Sequence, residues 1–443
     1  MAKVIKLRKG LDINLKGKAA LEFTSVKCPG EFALVPDDFT GLKPKVVVKE
    51  GDVVKAGDAL FVDKLHPEVK FVTPVSGTVS LVERGDRRKL MSIRVKADEQ
   101  QEYRQFDVAG DVKSLLMDSG LFAFFRQRPY DVVANPEDTP KAIFVSAFNS
   151  MPLSQDFEFA LKGQESAFQA GITALSKIAK VYLGVSAKQK NEALLGAKDC
   201  EVTIFDGPAP AGNVGVQINH VSPINKGEIV WTLGAEEVLF VGRLMQTGKV
   251  DFSRAVALAG SEVKKPCYAK MLVGQKLNTL LDGQIDAEKS LRIINGNVMT
   301  GQKTTAEAFL GAHVTEINVI PEGDHADEFL GWIAPRFNTF STHRSYCSWL
   351  FGNKKEYEMD ARIKGGERHM IMSGEYDRVF PMDIFAGYLI KAIITGDIDR
   401  QEALGIYEVA PEDFALAEFV DSSKLELQRI VREGLDILRR ENA

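Results

Sequence analysis

The stretch DSGLFAFFRQRPYDVVANPEDTPKAIFVSAFNSMPLSQ, from Asp118 to Gln155, decides how this chain is read. A loop leads into AIFVSA, whose Ile143, Phe144 and Val145 have strand character, and a helix-like segment follows. In an open α/β sheet, ligands collect in the crevice outside the carboxyl ends of the strands. The loops around this strand are therefore where a nucleotide or flavin would be held. Phosphate cradles need glycines, so that backbone N–H groups can approach the anion. The loop before the strand has one glycine, Gly120, followed by Phe122, Phe124, Phe125, Arg126 and Arg128. Bulky rings with cations among them do not make a backbone nest.

Outward from this point the pattern alternates between strand and helix from about 106 to 251. An Ala- and Leu-rich helical stretch is predicted around 158–178. KVYLGVS (180–186) reads as a strand, 190–196 as a short helix, and EVTIFDG (201–207) and EIVWTL (228–233) as further strands. A helix is predicted over 235–248, with Glu236 and Glu237 in its first turn and Gly248 closing it. This is a Rossmann-like α/β domain. GPAPAGNVG (207–215) follows a strand as a phosphate loop would. However, Pro208 and Pro210 remove N–H donors, so it reads as a rigid packed turn.

On the amino-terminal side, residues 1–33 alternate weakly and read as strands separated by turns at Gly10 and Gly17. Residues 43–82 form short β-branched runs broken at Gly51–Asp52 and Gly57–Asp58, where glycine supplies positive φ and aspartate bonds the local backbone. The module resembles the barrel-sandwich fold of lipoyl and biotinyl carrier domains. Its hairpin tip is Leu65–His66–Pro67–Glu68, with Lys64 and Lys70 off the apex, so a structural module without an attached cofactor is expected.

On the carboxyl side, GNVMTGQKT (296–304) nearly spells a P-loop, but Gln302 separates Gly301 from Lys303. It reads as a turn in a small β-rich domain over 252–325. Residues 326–443 are predicted to be mostly helical, with Trp332 and Trp349 supplying core. The last helix is expected to start at a capping box of Ser423 and Glu426, with Leu427, Ile430, Val431, Leu435 and Leu438 on one face. Four units follow: 1–105, 106–251, 252–325 and 326–443.

Composition narrows the function. At 443 residues, 45% hydrophobic and 26% charged, the chain is ordinary for a globular protein. A net charge of −5 with dispersed Lys and Arg gives no footprint for nucleic acid. The charged start, MAKVIKLRKGLDINLKG, lacks the apolar core of a secretory signal. The run IFAGYLIKAII (384–394) is shorter than the ~20 residues of a membrane span and contains Lys391. The cysteines Cys28, Cys200, Cys267 and Cys347 are far apart, so Fe–S and zinc-ribbon spacing is absent. The six histidines are scattered and form no paired ligand pattern.

Several motifs together carry a family resemblance. They are KLRKGLDINLKG (6–17), VKFVTPVSGTV (69–79), GLFAFFRQRP (120–129) before AIFV, FDGPAPAG (205–212), LAGSEV (258–263), FLGWIAP (329–335) and EDFALAEFV (412–420). With them the chain resembles the A subunits of bacterial sodium-translocating NADH:quinone oxidoreductases over nearly its whole length. The resemblance implies a multidomain α/β and α+β protein. Its parts would be a barrel-sandwich module, the Rossmann-like domain, a small β-grasp (SLBB-like) domain and a C-terminal helical domain. The family is related in architecture to the flavin- and NADH-binding subunit of complex I and to the C subunit of the Rnf complex. Those relatives carry a glycine-rich flavin loop and cysteine clusters, which GLFAFFRQRP and the lone Cys347 do not reproduce. A fold that has lost its redox centres is implied, with no catalytic, cofactor-binding or metal residues of its own.

The resemblance further implies a peripheral protein on the cytoplasmic side of the bacterial inner membrane. Its partners would be the B, C, D, E and F subunits of the complex, most directly the membrane-embedded B protein, with no membrane span of its own. The whole complex would use NADH, flavins (FMN, FAD and riboflavin), Fe–S and ubiquinone, and would export sodium. An alternative is a flavin-dependent NADH-oxidising subunit like that of complex I. Family members often carry cysteines where this chain has Val420–Asp421–Ser422, so a thiol role there does not transfer.

The resemblance also implies an association with quinone. A quinone site needs apolar walls and one or two hydrogen-bond donors. Phe122, Phe124 and Phe125 can supply walls, Arg126 or Arg128 donors, and Pro129 and Tyr130 a stiff exit. The competing reading is that these phenylalanines fill space left by a lost flavin while the arginines pair with acids.

Overall fold

The structure, a computed structural model, describes residues 2–27, 30–324, 336–342, 344 and 346–442. Cys28, Trp332 and the FLGWIAP motif lie outside the described residues. The α/β part is a seven-stranded sheet in the order Lys3–Lys6, Glu201–Asp206, Val181–Ser186, Ile143–Ser146, Val230–Gly234, Arg126–Arg128, Val132–Val133. The first five strands pair in parallel, and the last two each pair antiparallel with the strand before them. Side chains alternate across the sheet as the pleat requires. Ile143 and Val145 join one core, while Phe144 joins a separate cluster with Ile218 and Val230.

On the first face the helices Glu165–Ser176 and Ala235–Thr247 cross almost backbone to backbone. A Cβ on Gly171 would lie 2.2 Å from the Val238 carbonyl oxygen, and one on Gly242 would lie 1.7 Å from that of Ala167. The crossing depends on both glycines.

The chain runs from the Ile143 strand outward through the Val181 and Glu201 strands, then crosses back to place the Val230 strand on the other side of Ile143–Ser146. This creates a topological switch point between the Ile143 and Val230 strands. The helices after the Glu201 and Val230 strands, Val214–Val221 and Ala235–Thr247, both begin at that end of the sheet. The predicted helix over 158–178 is two helices, Phe157–Ala160 and Glu165–Ser176, and the short helix near 190–196 is a single turn, Glu192–Leu195.

The first residues also reach into the other two sheets. Lys3–Lys6 pairs in parallel with Glu201–Asp206, and Phe23–Thr24 pairs with Cys267–Leu272 in another sheet. Between them the chain is largely irregular. The physical reason is that both sheets present an open edge whose backbone groups the arm satisfies.

Two sheets make the barrel-sandwich: Glu31–Leu34, Leu90–Ala97, Gly77–Arg84 and Val53–Val54 face Pro44–Val46, Ala59–Asp63 and Lys70–Val72. Phe32, Phe61, Phe71 and Ile93 fill it. The Gly–Asp turns form as the sequence suggests. Asp52 accepts from Lys49 N–H at 2.7 Å and Asp58 from Lys55 N–H at 2.8 Å, beside Gly51 and Gly57 at φ 90° and 98°.

The third part is a six-stranded mixed sheet around Ser253–Ala259 and Glu316–Pro321, with a short helix at Asn278–Leu281. GNVMTG is the turn of the hairpin between Leu291–Asn295 and Gln302–Thr304, and Lys303 pairs with Glu322 at 2.9 Å on the surface.

The carboxyl part is helical from Tyr376 onward, with an irregular stretch before it. Leu427, Val431, Leu435 and Leu438 are buried as the periodicity predicts, and Ile430 packs partly buried beside them. Two expectations need correction. The last helix begins at Leu427 with no cap from Glu426 or Ser423, and Glu418 Oε2 accepts from Gln428 N–H at 2.8 Å in its first turn. Asp421 bonds the preceding turn instead, and Ser423 Oγ accepts from Ile371 N–H. Trp349 is 47% exposed, not core. It sits in a 3-10 run and its ring lies 5.0 Å from the Arg344 guanidinium. Among the described residues no helix is long and apolar enough to cross a membrane.

Candidate functional site

The cleft that matters opens at the switch point. It has a volume of about 260 Å³ and is floored by the ends of the two central parallel strands, Ser146 on one and Thr232 to Gly234 on the other. This is where doubly wound sheets hold ligands, because diverging loops leave a crevice there. Every part of the chain contributes. Phe124, Arg126 and Asp131 come from the antiparallel edge, Thr300, His313 and Thr315 from the third sheet, and Glu412 from the helical part. The barrel module supports the base through Asp38, which accepts from Ala312 N–H at 2.9 Å, and Phe39, edge-on to His313 at 5.6 Å.

The six residues singled out from sequence separate into three groups. Phe124 and Arg126 line the cleft. Phe124 is held edge-on by Phe39, Phe240 and His313 at 5.4–5.9 Å. Arg126 keeps a third of its side chain exposed, 3.6 Å from Asp131. Phe122 and Phe125 are fully buried, stacked on each other at 5.5 Å with the Trp231 ring across both, and do not line the cleft.

Arg128 and Tyr130 serve the junction with the helical part. Arg128 is 1% exposed and donates to Asp413 at 2.8 Å and Glu412 at 3.0 Å. The Tyr130 carbonyl accepts from Arg432 at 2.5 Å. The spacing of the six in the chain could not separate these groups. The strand Arg126–Arg128 alternates its side chains, which sends Arg126 and Arg128 the same way, and the Leu121–Phe124 turn scatters the rings.

The sequence reading missed the acids and their partners. Glu236 and Glu237 were legible only as first-turn helix residues. Here they stand at the cleft because their helix starts directly after the Val230–Gly234 strand. Glu237 pairs with the fully buried Arg254 at 2.9 Å, and Arg254 also donates to the carbonyls of Ala312 and Val314. Glu236 is 3% exposed and its Oε1 accepts from Gln155 Nε2 at 2.6 Å.

Burial pushes the Glu236 carboxyl up to about 7, against the pull of Arg254 and the Gln155 bond. Burial likewise raises Asp38 to about 6 and raises Glu316, whose Oε2 accepts from Thr315 Oγ at 2.6 Å. Desolvation, with Arg126 and Arg254 nearby, holds His313 well below its ordinary value, so it is a neutral imidazole. Burial would raise Asp131 too, but Arg126, Arg128 and Arg432 outweigh it and keep it ionised.

FDGPAPAG is a packed turn with a role the sequence reading did not see. Gly212 and Asn213 line the cleft, and a Cβ on Gly212 would meet Ser150 N at 2.6 Å. Asn213 Nδ2 donates to the Glu412 carbonyl at 3.1 Å, tying this rim to the helical part.

The arrangement can bind a small, flat, uncharged group. Phe124 gives an apolar wall and Arg126 a partly exposed donor. Asp131 lies 3.6 Å from Arg126, and Glu237 is paired with Arg254 at 2.9 Å, so both of these cleft-lining acids face cations. Among the described residues, no group of three or more His, Cys, Asp or Glu could hold a metal ion. Burial pushes the Cys200 thiol up to about 11 and raises that of Cys267, so neither is a ready thiolate.

Three family descriptions match the chain: an NqrA N-terminal barrel-sandwich hybrid domain over 5–98, an NqrA second alpha/beta domain over 108–250, and an NQRA C-terminal domain over 255–306. The chain is 35% identical to the A subunit of the Na(+)-translocating NADH-quinone reductase of Pasteurella multocida, covering 99% of this chain and 100% of that one. It is 36% identical to the protein of the same name in Serratia proteamaculans, with the same coverage. For Rhodopirellula baltica the identity is 34%, over 99% of this chain and 98% of the relative. Among solved structures, an NAD+-reducing [NiFe]-hydrogenase in the H2-reduced state aligns over 75% of this chain and 62% of its own at 12% identity. Its TM-score is 0.37, too low to carry an argument.

Proposed function

This chain belongs to the family of A subunits of Na(+)-translocating NADH-quinone reductases, and we propose that its own part in that enzyme is to hold quinone at the switch-point cleft without a redox cofactor. The chain is a subunit of the sodium-pumping NADH:quinone reductase. In the proposed arrangement it lies on the cytoplasmic side of the inner membrane, against the membrane-embedded B protein and in company with the C, D, E and F proteins. NADH oxidation, flavins and Fe–S chemistry belong to those partners.

The observation that carries the proposal is the pairing of Phe124 with Arg126 on one wall of the cleft. An aromatic edge and an exposed guanidinium suit a quinone ring and one of its carbonyls. The alternative, a flavin- and NADH-binding subunit, is disfavoured by the same wall. Gly120, the loop's one glycine, packs on the barrel module, where a Cβ would meet Val72 at 2.7 Å, so its backbone is not turned toward a phosphate.

The test is Phe124→Ala and Arg126→Gln in the assembled complex. The KM for ubiquinone, or inhibitor sensitivity, is expected to change at least several-fold, with assembly and NADH oxidation by an artificial acceptor retained. Unchanged quinone kinetics in a fully assembled variant would place the quinone elsewhere.

A further inference from the structure

We propose that Glu236 is the hydrogen-bond donor of the cleft, presenting a carboxylic acid O–H from Oε2 to a carbonyl oxygen of the quinone and so making binding depend on pH. The inference rests on the quinone reading above and adds to it the group that recognises the second carbonyl.

Geometry decides which oxygen carries the proton. Gln155 Nε2 can only donate, and it bonds Glu236 Oε1 at 2.6 Å while also bonding the Ala255 carbonyl at 2.6 Å. Gln155 is therefore held from both sides, and Oε1 must accept. Glu236 Oε2 has no hydrogen-bond partner among the described residues although the side chain lines the cleft. Buried polar atoms are almost always paired, so a buried, unpaired oxygen on a side chain that lines the cleft is where a partner atom is expected.

The surrounding charges leave the acid form in place. Arg254, from the Ser253–Ala259 strand, is committed to Glu237 and two carbonyls. Arg243, further along the same helix, is committed to Gln164 at 2.7 Å and the Ser253 carbonyl at 2.6 Å. Glu237 faces Glu236 as a like charge from its own helix, while Glu316 lies on the neighbouring strand with its own carboxyl raised by burial. His313 is neutral, and on the far wall Arg126 is paired with Asp131. The terminal nitrogens of Arg254 and the guanidinium of Arg243 bond groups other than Glu236, and burial outweighs their pull and raises its carboxyl to about 7.

The sign of the pH dependence separates this from the other use of a buried carboxyl. An acid donating to a neutral carbonyl loses its ligand as pH rises, whereas a carboxylate pairing with a cation gains one. The experiment titrates the full chain with a short-chain ubiquinone analogue from about pH 5.5 to about pH 9, for the wild type, Glu236→Gln and Glu236→Leu. The wild-type Kd is expected to be flat below neutrality and to rise about tenfold per pH unit above it, as one proton requires.

Glu236→Gln keeps an N–H donor in the same place, so it should bind nearly as well at about pH 6 and show no slope. Glu236→Leu should bind roughly tenfold or more weakly at that pH, as loss of one buried hydrogen bond implies. An infrared band of a protonated carboxyl near pH 6, absent from Glu236→Gln, reads the proton without the quinone. A wild-type Kd that is flat or falls with pH, or the same slope in Glu236→Gln, overturns the inference and leaves the quinone site standing. Failure of the wild-type chain to bind quinone saturably near pH 6 overturns the quinone reading and the inference together.

Discussion

Arg128 and Asp413 are 285 positions apart in the chain, yet the Arg128 guanidinium donates to the Asp413 carboxylate at 2.8 Å with side chains 1% and 0% exposed. Asp413 also accepts from Ala410 N–H at 2.9 Å, and Arg128 reaches Glu412 and the Glu408 carbonyl. One ion pair thus fastens the helical part to the sheet edge that forms the cleft wall. Removing one partner leaves a buried charge unpaired, which costs about 3–5 kcal/mol. Arg128→Met and Asp413→Leu should each lower stability by that order in urea unfolding. The double variant should lose clearly less than the sum, because neither member of the pair is left facing the other's absence, and Glu412 loses its Arg128 partner equally in Arg128→Met and in the double variant. Additive losses would mean that the pair is not coupled.

The helix crossing gives a test whose sign is unusual. Glycine to alanine inside a helix ordinarily stabilises by roughly 0.8–1 kcal/mol. At Gly242 the new Cβ would lie 1.7 Å from a carbonyl oxygen of the Glu165–Ser176 helix, so the helices must separate. Gly242→Ala is expected to destabilise by at least about 1–3 kcal/mol, the usual range for overpacking. A neutral or stabilising result in thermal unfolding would show that the crossing can relax.

Glu236 also links stability to pH. The unfolded carboxyl releases its proton near the ordinary value of 4.5, but the folded one keeps it to about 7. Between those values the folded state binds the extra proton, so stability falls as pH rises through this window. By the relation of about 1.4 kcal/mol per pKa unit the full effect is on the order of 3 kcal/mol. Relative to the wild type, Glu236→Gln should therefore gain stability from pH 4.5 to about 7 and then level off. A difference that does not vary with pH, read from urea unfolding at fixed salt, would mean the carboxyl is not shifted.

The barrel module is expected to carry no attached cofactor. Lys70, one of two lysines near the hairpin tip, is paired with Asp118, which Arg104 also holds at 2.8 Å. Lys64 precedes the largely exposed Leu65–Glu68 tip and lies away from its apex. The intact mass of protein from its native host should equal the sequence mass, allowing for loss of Met1. An added lipoyl or biotinyl mass on either lysine would show that the tip is a substrate for attachment.

The regular elements of the α/β part were legible because they follow local rules. β-Branched runs such as KVYLGVS and EVTIFDG became strands, and Gly248 closed the predicted helix in a left-handed conformation at φ 68°. The barrel turns were legible for the same reason, since glycine and aspartate at adjacent positions shape a turn from within a few residues. What the sequence could not determine is set by residues far apart in it. Strand order, not any motif, put the switch point between Ile143 and Val230. That order brought Phe124, Gln155, Glu236, His313 and Glu412 around one space. The same long-range packing separated Phe124 from Phe122 and Phe125, and committed Arg128 to Asp413. Nor could sequence show that Glu236 would differ from its neighbour Glu237. Arg254 arrives from another sheet and pairs with only one of them, and burial of the other without a cation raises its carboxyl to about 7.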